Sequence, residues 1–457
     1  DQGLTGISEY NESYGSKGRT AVIKALVESI EGDDPRRHER VSQKLYAMTR
    51  QAHGGLNQQA IAAIENAMLD VKAKSLGVPV YDLCHLGHAR SYINWDVLRR
   101  YLIWRGYDVT YVQNYTDIDD KIIARAQAES TTESAVATEW KQVYDDVMDA
   151  LGILRAHDRP HATEYVEEMV EFIQTLIDNG SAYAIDSGVY LRVHTVDGYG
   201  DLVHRSLDDL RDGAGARVEV DDTKEDPLDF ALWKAAKPGE PTWPSPWGDG
   251  RPGWHIECVA MSLGILGDGF DLHGGGNDLV FPHHTNERAE ANAPRRDFAQ
   301  QWGHNAKRNI RGEKMSKSLG NFTTIQTLLD EHPDNARALR LALLQTHYRK
   351  VMELNPEVMA QSREGLKRLD AMVRKASGAG VALDGSERDA TAIAAFTVAM
   401  DDDLGTPEGV ATMFETSRRA TAALDAGAEA AAMLKIKPFG LFSNCLLYTS
   451  DAADDSL

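Results

Sequence analysis

The run from His88 to Tyr115 constrains the fold of this chain more than any other stretch. "HARSYINWDVLRRYLIWRG" places Ile93, Val97 and Tyr101 on one helical stripe and ends at Gly106, a residue suited to stopping a helix. "YDVTYVQNY" follows at once and alternates, with Val109, Tyr111 and Gln113 on one side, which predicts a strand. A strand and loop before the helix and a parallel strand after it make the opening of a doubly wound nucleotide-binding sheet. The expected fold class is therefore α/β.

The flanking segments read differently. Before Tyr81, "TGISEYNES" reads as a strand and is followed by a helix near Thr20 to Glu31 and another ending near Arg50. A third helix opens after "GGLN" with Asn57 as N-cap, carries Ile61, Ile64, Met68 and Val71 on one face, and ends at Gly77. After Tyr115, helical periodicity dominates from about Ile123 to Asn179, and short strands and turns run from about Ala182 to Asp229. "KPGEPTWPSPWGDGRPGW" reads as a long loop, and beyond "NFTT" the chain turns helical. Asn355, Pro356 and Glu357 supply a cap, a first-position proline and a first-turn acid for a helix with Met359, Leu366, Leu369 and Val373 inward. "ASGAGVALDGSE" is the expected flexible linker to a second helical set. The last residues, "CLLYTSDAADDSL", continue no pattern before them.

Composition narrows the function classes. With 49 basic and 70 acidic residues the net charge is -21, which argues against polyanion binding over the whole surface while leaving room for a local basic groove. Cys84, Cys258 and Cys445 are far apart and odd in number, so no disulfide framework is expected and metal or catalytic roles stay open. No apolar run approaches the roughly 20 residues that span a bilayer, and no basic-then-apolar leader opens the sequence. A cytoplasmic protein with no membrane partner is the expectation.

Three strings carry chemistry. "HLGH" puts His85 and His88 at a helix N-terminus, where free N-H groups and the dipole suit them to ATP phosphates; surface or capping histidines are the plainer alternative. "GEKMSKSLGN" sets Lys314 and Lys317 among serines and glycines on a loop able to close over a pyrophosphate leaving group; a solvated basic turn is its alternative. "GWHIECVAMS" and "FDLHGGGNDLVFPHHTNE" bring a thiol, Cys258, and a His283/Glu287 pair spaced to share a helical face, a trio that suggests zinc unless it is an ordinary buried cysteine beside an ordinary pair. "HGGGND" adds Gly274 and Gly275 as a backbone surface for close nucleotide approach.

Taken in order, "YDLCHLGHARSYINWDVLRRYL", "YVQNYTDIDDKI", "RPGWHIECVAMS", "HGGGNDLVFPHHTNE" and "GEKMSKSLGNF" resemble the cysteinyl-tRNA synthetases, a family of class I aminoacyl-tRNA synthetases, from about Val80 to about Pro438. "NARALRLALLQTHYRK" and "MDDDLGTPEG" resemble the start of that family's helical anticodon-side region. The resemblance implies a Rossmann-like catalytic domain over 80–325 with an inserted connective region near 158–228, a helical stem-contact region over 326–376 and a shortened helical domain over 388–440. It implies that ATP, with Mg2+, activates L-cysteine as cysteinyl-adenylate before transfer to tRNA(Cys). By the same resemblance His85, His88, Lys314 and Lys317 match the ATP signatures, Asp278 the position that meets the substrate amino group, and Thr116 and Trp254 the substrate pocket. Zinc is implied on two cysteines, a histidine and a glutamate, of which Cys258, His283 and Glu287 fill three positions; a soft metal prefers a thiolate to a hydroxyl, so no editing site is needed.

The fourth ligand departs from the pattern. The family has a cysteine, a glycine, two residues and then Val-Tyr-Asp; Gly77 and Val80 to Asp82 are kept, but Leu76 stands in the cysteine's place. Residues 1 to about 83, with "GISEYNESYG", "IEGDDPRRHE" and "AIAAIENAMLDVKAKSLGVPVYDL", instead resemble the N-terminal capping region of the mandelate-racemase branch of the enolase superfamily. The expected organisation is thus a foreign α+β fragment over 1–79 ahead of the synthetase part, with an artefactual tail over 445–457. Weak zinc and ATP binding follow from the lost strand and ligand. The alternatives are a cysteine ligase of mycothiol synthesis on the same catalytic domain, an inactive chimera, and an enolase-superfamily lyase or racemase, against which the missing barrel motifs count.

Overall fold

The computed structural model describes residues 19–30, single positions between 41 and 64, 86–213, 223–306, 308–310, 313–314, 325–381, 389–427, 440 and 442–447. Cys84, His85, Leu76, Lys317, the strand expected over "TGISEYNES", residues 382–387 of the expected linker and residues 448–457 lie outside these. The chain divides into two compact units, Asp1–Leu83 with Gly312–Thr324, and Cys84–Arg311 with Ile325–Leu457. In the first, helix α1 spans Arg19–Glu28, and Leu26, Val41, Leu45, Ile61 and Ile64 share a small core. The expected burial of Ile61 and Ile64 holds; Met68 and Val71 lie outside the described residues.

The second unit opens with α2, Leu86–Trp104, whose stripe Ile93, Val97 and Tyr101 is buried as the spacing predicts, and Gly106 ends it at φ 89°. The strand expected next does not form a continuous ladder. Residues 107–119 make isolated parallel bridges, Val112 with Asp158 and Tyr115 with His161. Gln113 N donates to Asp158 O at 3.1 Å and Tyr115 N to Pro160 O at 2.8 Å. The intervening bond of a parallel ladder would run from the amide of residue 160, and Pro160 has no N-H to give.

Helices α3 (Asp120–Glu129), α4 (Glu133–Ala150) and α5 (Val166–Asp178) follow. Then comes an antiparallel sheet in the order β1 (Ala182–Ile185), β2 (Gly188–Leu191), β3 (Phe230–Ala235), β4 (Gly250–Pro252), with the short helix α6 (Leu207–Gly213) between β2 and β3. Met169, Ile173 and Leu176 of α5 join Val189, Leu191 and Trp233 of the sheet in one core. Gly188, at φ 146°, is required by contact as well as conformation: a Cβ there would lie 2.0 Å from the Trp233 carbonyl.

The same core takes in α7 (Trp254–Leu266) and α8 (Thr285–Asn292). Between them β5 (Leu272–Gly276) runs parallel to β6 (Gln301–Asn305), Leu272 opposite Gln301 and Gly276 opposite Asn305, with α8 as the crossover that a parallel pair demands. β7 (Arg308–Ile310) then pairs in parallel with β8 (Met352–Glu353).

The remainder is helical: α9 (Ile325–Glu331), α10 (Asn335–Leu344), α11 (Pro356–Gly378), α12 (Ala390–Asp401) and α13 (Thr406–Asp425). The α11 start follows the expectation, with the Asn355 side chain accepting from Val358 N at 2.8 Å and Pro356 in the first turn. Met359, Leu366 and Leu369 are buried, but Met372 rather than Val373 takes the next interior position. Phe442, Cys445, Leu446 and Leu447 are buried too, with Phe442 stacked on Phe396 at 4.2 Å, so the first residues of the expected tail pack into this unit. Among the described residues no helix is long and apolar enough to cross a membrane.

Candidate functional site

Cys258 lies on the buried face of α7, while His283 and Glu287 lie one helical turn apart where the turn Val280–His284 runs into α8. That turn is anchored to the helix by Thr285 Oγ1, which donates to Val280 O at 2.7 Å, and by His284 N, which donates to Leu279 O at 2.8 Å. Cys258 Sγ stands 3.7 Å from His283 Nε2, which stands 3.0 Å from Glu287 Oε1. The three donor atoms fall within 4.8 Å of one another, and all three residues are buried.

Further imidazoles surround the trio. His255 Nδ1 lies 2.8 Å from His283 Nδ1, His273 Nε2 lies 3.0 Å from Glu287 Oε2, and His284 Nδ1 lies 2.8 Å from His304 Nε2. Trp254 stacks on the His283 ring at 4.0 Å, and Asn114 Nδ2 reaches Cys258 Sγ at 3.7 Å. Burial holds His255 at about 3 and His284 at about 2, so both rings are neutral near pH 7.

The carboxylates are the telling members. Burial alone would raise the pKa of Glu287, but the His283 and His273 rings overcome it and hold the group well below the usual carboxylate range. Imidazole nitrogens of His273 and His283 stand 3.0 Å from its two oxygens. Glu290, fully buried nearby, lacks a donor at both oxygens, and Glu257 lacks one at Oε2. Burial, followed by the charge of neighbouring carboxylates, pushes both well above the usual range, and it pushes the Cys258 thiol up as well. Buried polar atoms rarely go unsatisfied, and a cation bound by Cys258, His283 and Glu287 would offset the buried carboxyls gathered here. Sulfur, imidazole and carboxylate in one cluster are donors suited to zinc.

Comparison with known proteins bears on the whole chain. Residues 63–364 match the family "tRNA synthetases class I (C) catalytic domain" and residues 395–442 the DALR domain. The cysteine-tRNA ligase of Synechococcus elongatus is 51% identical over 348 residues, covering 75% of this chain and 73% of that protein. The chain belongs to the cysteine-tRNA ligase family. The relatives from Trichlorobacter lovleyi and Geobacillus thermodenitrificans are 48% and 46% identical, over 75% and 77% of this chain and 72% and 76% of theirs. Among solved structures, methionyl-tRNA synthetase of Mycobacterium tuberculosis bound to methionyl-adenylate superposes with TM-score 0.53 at 15% identity, covering 80% of this chain and 89% of its own. The LeuRS of Agrobacterium radiobacter superposes with TM-score 0.59 at 12% identity, over 80% of this chain and 82% of that one. These likenesses establish the class I synthetase fold. Residues 1–85 match a different family, the N-terminal domain of mandelate racemase and muconate lactonizing enzyme, so two family matches overlap over residues 63–85.

In this family member the structure gathers part of the expected site. Thr116 bonds to the Glu257 carboxyl, and Trp254, 43% exposed, covers His283, so both border the Cys258 cluster. Asp278 is exposed just past β5, and His88 is exposed in the first turn of α2. Gly274 and Gly275 have a packing reason to be glycine: a Cβ would lie 2.8 Å from Trp95 at the first and 2.9 Å from His284 at the second. His85, Lys317 and the side chain of Lys314 lie outside the described residues.

Sequence reasoning passed over His255, His284, His304, Glu257 and Glu290 as members of the site. Glu257 and Glu290 carried a usable signal, since "HIEC" puts Glu257 next to Cys258 and "NERAE" puts Glu290 three residues after Glu287. His304 carried none, because β6 reaches the cluster only through its pairing with β5.

Proposed function

We propose that the chain ligates L-cysteine to tRNA(Cys) in the cytoplasm, with ATP and Mg2+ as co-substrates, through a cysteinyl-adenylate. The observation that carries this reading is the buried sulfur, imidazole and carboxylate trio Cys258, His283 and Glu287, whose donor atoms fall within 4.8 Å of one another. These residues hold zinc in the proposal, and zinc supplies a soft Lewis acid that accepts a cysteine thiolate and discriminates against a serine hydroxyl. Trp254 and Thr116 wall the amino-acid pocket, and Asp278 meets the substrate ammonium.

The carboxylate of cysteine attacks the α-phosphate, the bond to pyrophosphate breaks, and the terminal ribose hydroxyl of the tRNA then takes the acyl group with release of AMP. His85 and His88 hold phosphate oxygens at the start of α2, while Lys314 and Lys317 offset the charge that builds on the leaving pyrophosphate. Gly274 and Gly275 let the nucleotide approach the backbone. No side-chain base is needed, because positioning and charge stabilisation do the catalysis. The same chemistry would serve a ligase that joins cysteine to an amino-sugar; the DALR match at 395–442 and the helices α10 to α13 favour tRNA.

One feature favours a second reading, an inactive chimera: Leu76 stands where the resemblance calls for a zinc-binding cysteine, inside the overlap of the two family matches. In that reading residues 1–79 are a capping fragment of enolase type and the join falls within "VPVYDL". Cysteine-dependent ATP-pyrophosphate exchange separates the two. Rapid exchange by the chain as written removes the inactive chimera, and absent exchange restored by Leu76→Cys assigns the defect to the missing ligand. Exchange with an amino acid other than cysteine sinks the ligase reading.

A further inference from the structure

We infer that His255 is a positioning residue of the metal centre: its Nδ1 accepts the Nδ1-H of His283 and so keeps the Nε2 lone pair of His283 turned toward Cys258 and Glu287. The inference deepens the zinc part of the reading above and rests on it. The two nitrogens of His283 meet different neighbours. Nε2 stands 3.0 Å from Glu287 Oε1 and 3.7 Å from Cys258 Sγ, so it is the nitrogen on the side of the other two donors. Nδ1 instead meets His255 Nδ1 at 2.8 Å. His255 belongs to the first turn of α7, the helix that also carries Cys258, and the Phe230 ring of β3 packs at right angles to it with centroids 5.4 Å apart.

Stacking alone does not decide how the His283 ring is turned. Trp254 lies on its face at 4.0 Å with the two planes 21° apart, which fixes the plane of the ring but not its edges. A half-turn about the bond from Cβ to Cγ would keep that stack while exchanging Nδ1 for Cδ2 and Nε2 for Cε1. Carbon would then face both His255 and the Cys258 and Glu287 donors. The bond to His255 is lost in the turned ring, so it selects the useful orientation without using any of the three donor atoms.

The proton in that bond has one arrangement compatible with a metal. Two imidazole nitrogens 2.8 Å apart share a single proton, one ring donating and the other accepting. A metal takes the Nε2 lone pair of His283, which leaves the His283 proton on Nδ1 and makes His255 the acceptor, with its own proton on Nε2. Ligand imidazoles usually give their second N-H to a carboxylate, a carbonyl or water. Here the acceptor is another imidazole, held on the same helix as the thiol ligand.

His255→Leu and His255→Asn test this in the full chain, because the two side chains are alike in shape and only asparagine offers an acceptor, Oδ1, near the place of Nδ1. In zinc competition with a chromophoric chelator, the leucine variant should bind about 10- to 100-fold more weakly than the parent, and the asparagine variant within about threefold of it. The metal-free melts of the two variants should coincide. In the zinc-loaded parent labelled with nitrogen-15 histidine, long-range proton-nitrogen spectra should show His283 protonated at Nδ1 and His255 at Nε2. A zinc loss that asparagine does not recover, a loss matched by a lower metal-free melt of the leucine variant, or a His283 proton on Nε2 overturns the assignment. Zinc bound equally by the parent and the leucine variant overturns this inference alone, whereas a parent that takes up no zinc overturns the metal reading and this inference with it.

Discussion

Two buried polar clusters sit in the same unit of this molecule and are built on opposite terms. Around Asp96 every charge is answered: its Oδ2 takes Arg100 Nε at 2.8 Å and Arg340 Nη2, and its Oδ1 takes Leu154 N at 3.0 Å. The two guanidinium groups then spend further donors on Gly152 O and Leu446 O, at 2.8 and 2.6 Å. Around Glu287, Glu290 and Glu257 the carboxyls are as deeply buried, yet neither oxygen of Glu290 nor Oε2 of Glu257 has a donor, and Glu287 meets only the imidazoles of His273 and His283. A saturated cluster needs nothing from outside, and it ties α2, the turn after α4, α10 and the final helical turn together. An unsaturated one leaves buried carboxyls that a bound cation would answer.

The difference can be broken first at its strongest member. Asp96→Ala would leave Arg340 and Arg100 buried without their carboxylate, and we expect a loss of about 3–5 kcal/mol in urea denaturation. A loss under about 1 kcal/mol would mean that the cluster is not the strut described here. Cys258→Ser should do the reverse, changing the metal-free melt little while weakening zinc by more than about 100-fold in competition with a chromophoric chelator, since even outer-shell partners of a metal are worth about 10–100-fold. Zinc held as tightly by the serine variant would show that the metal sits elsewhere.

Acid sharpens the contrast. The folded pKa values of His255 and His284 lie near 3 and 2, below an unfolded value of about 6.5, so the unfolded chain binds more protons beneath that pH. Their contribution is fully present above about pH 6.5 and is lost as pH falls toward 3, by up to about 1.4 kcal/mol per pH unit for each ring. Denaturation midpoints of the metal-free protein between pH 7 and 4 should show that slope, and His284→Gln should flatten it. The smallest effect sets the scale: Asn355→Ala, at a helix cap remote in sequence from both clusters, should cost about 1 kcal/mol and leave zinc affinity unchanged.

How much of this was legible in the sequence depends on the distance over which each element is determined. The α2 stripe, the Asn355-Pro356 start of α11 and the His283/Glu287 spacing are local patterns, and the structure reproduces them. The strand expected over "YDVTYVQNY" failed because its ladder depends on what pairs with it, and the partner carries Pro160. The roles read into "HLGH" and "GEKMSKSLGN" rest on residue identity alone, and His85 and Lys317 of these strings lie outside the described residues.

By itself, then, the sequence determined the class I fold, the family, the thiol, imidazole and carboxylate at Cys258, His283 and Glu287, and the departure at Leu76, since all of these rest on residue identity and short spacing. Only the tertiary structure decided which polar groups would be left without partners. Arg340 finds Asp96 from 244 residues away, and Arg90 finds carbonyls 257 to 260 residues distant, whereas Glu290 finds no donor. Satisfaction of a buried charge is a property of everything packed around it, and no window along the chain contains that information.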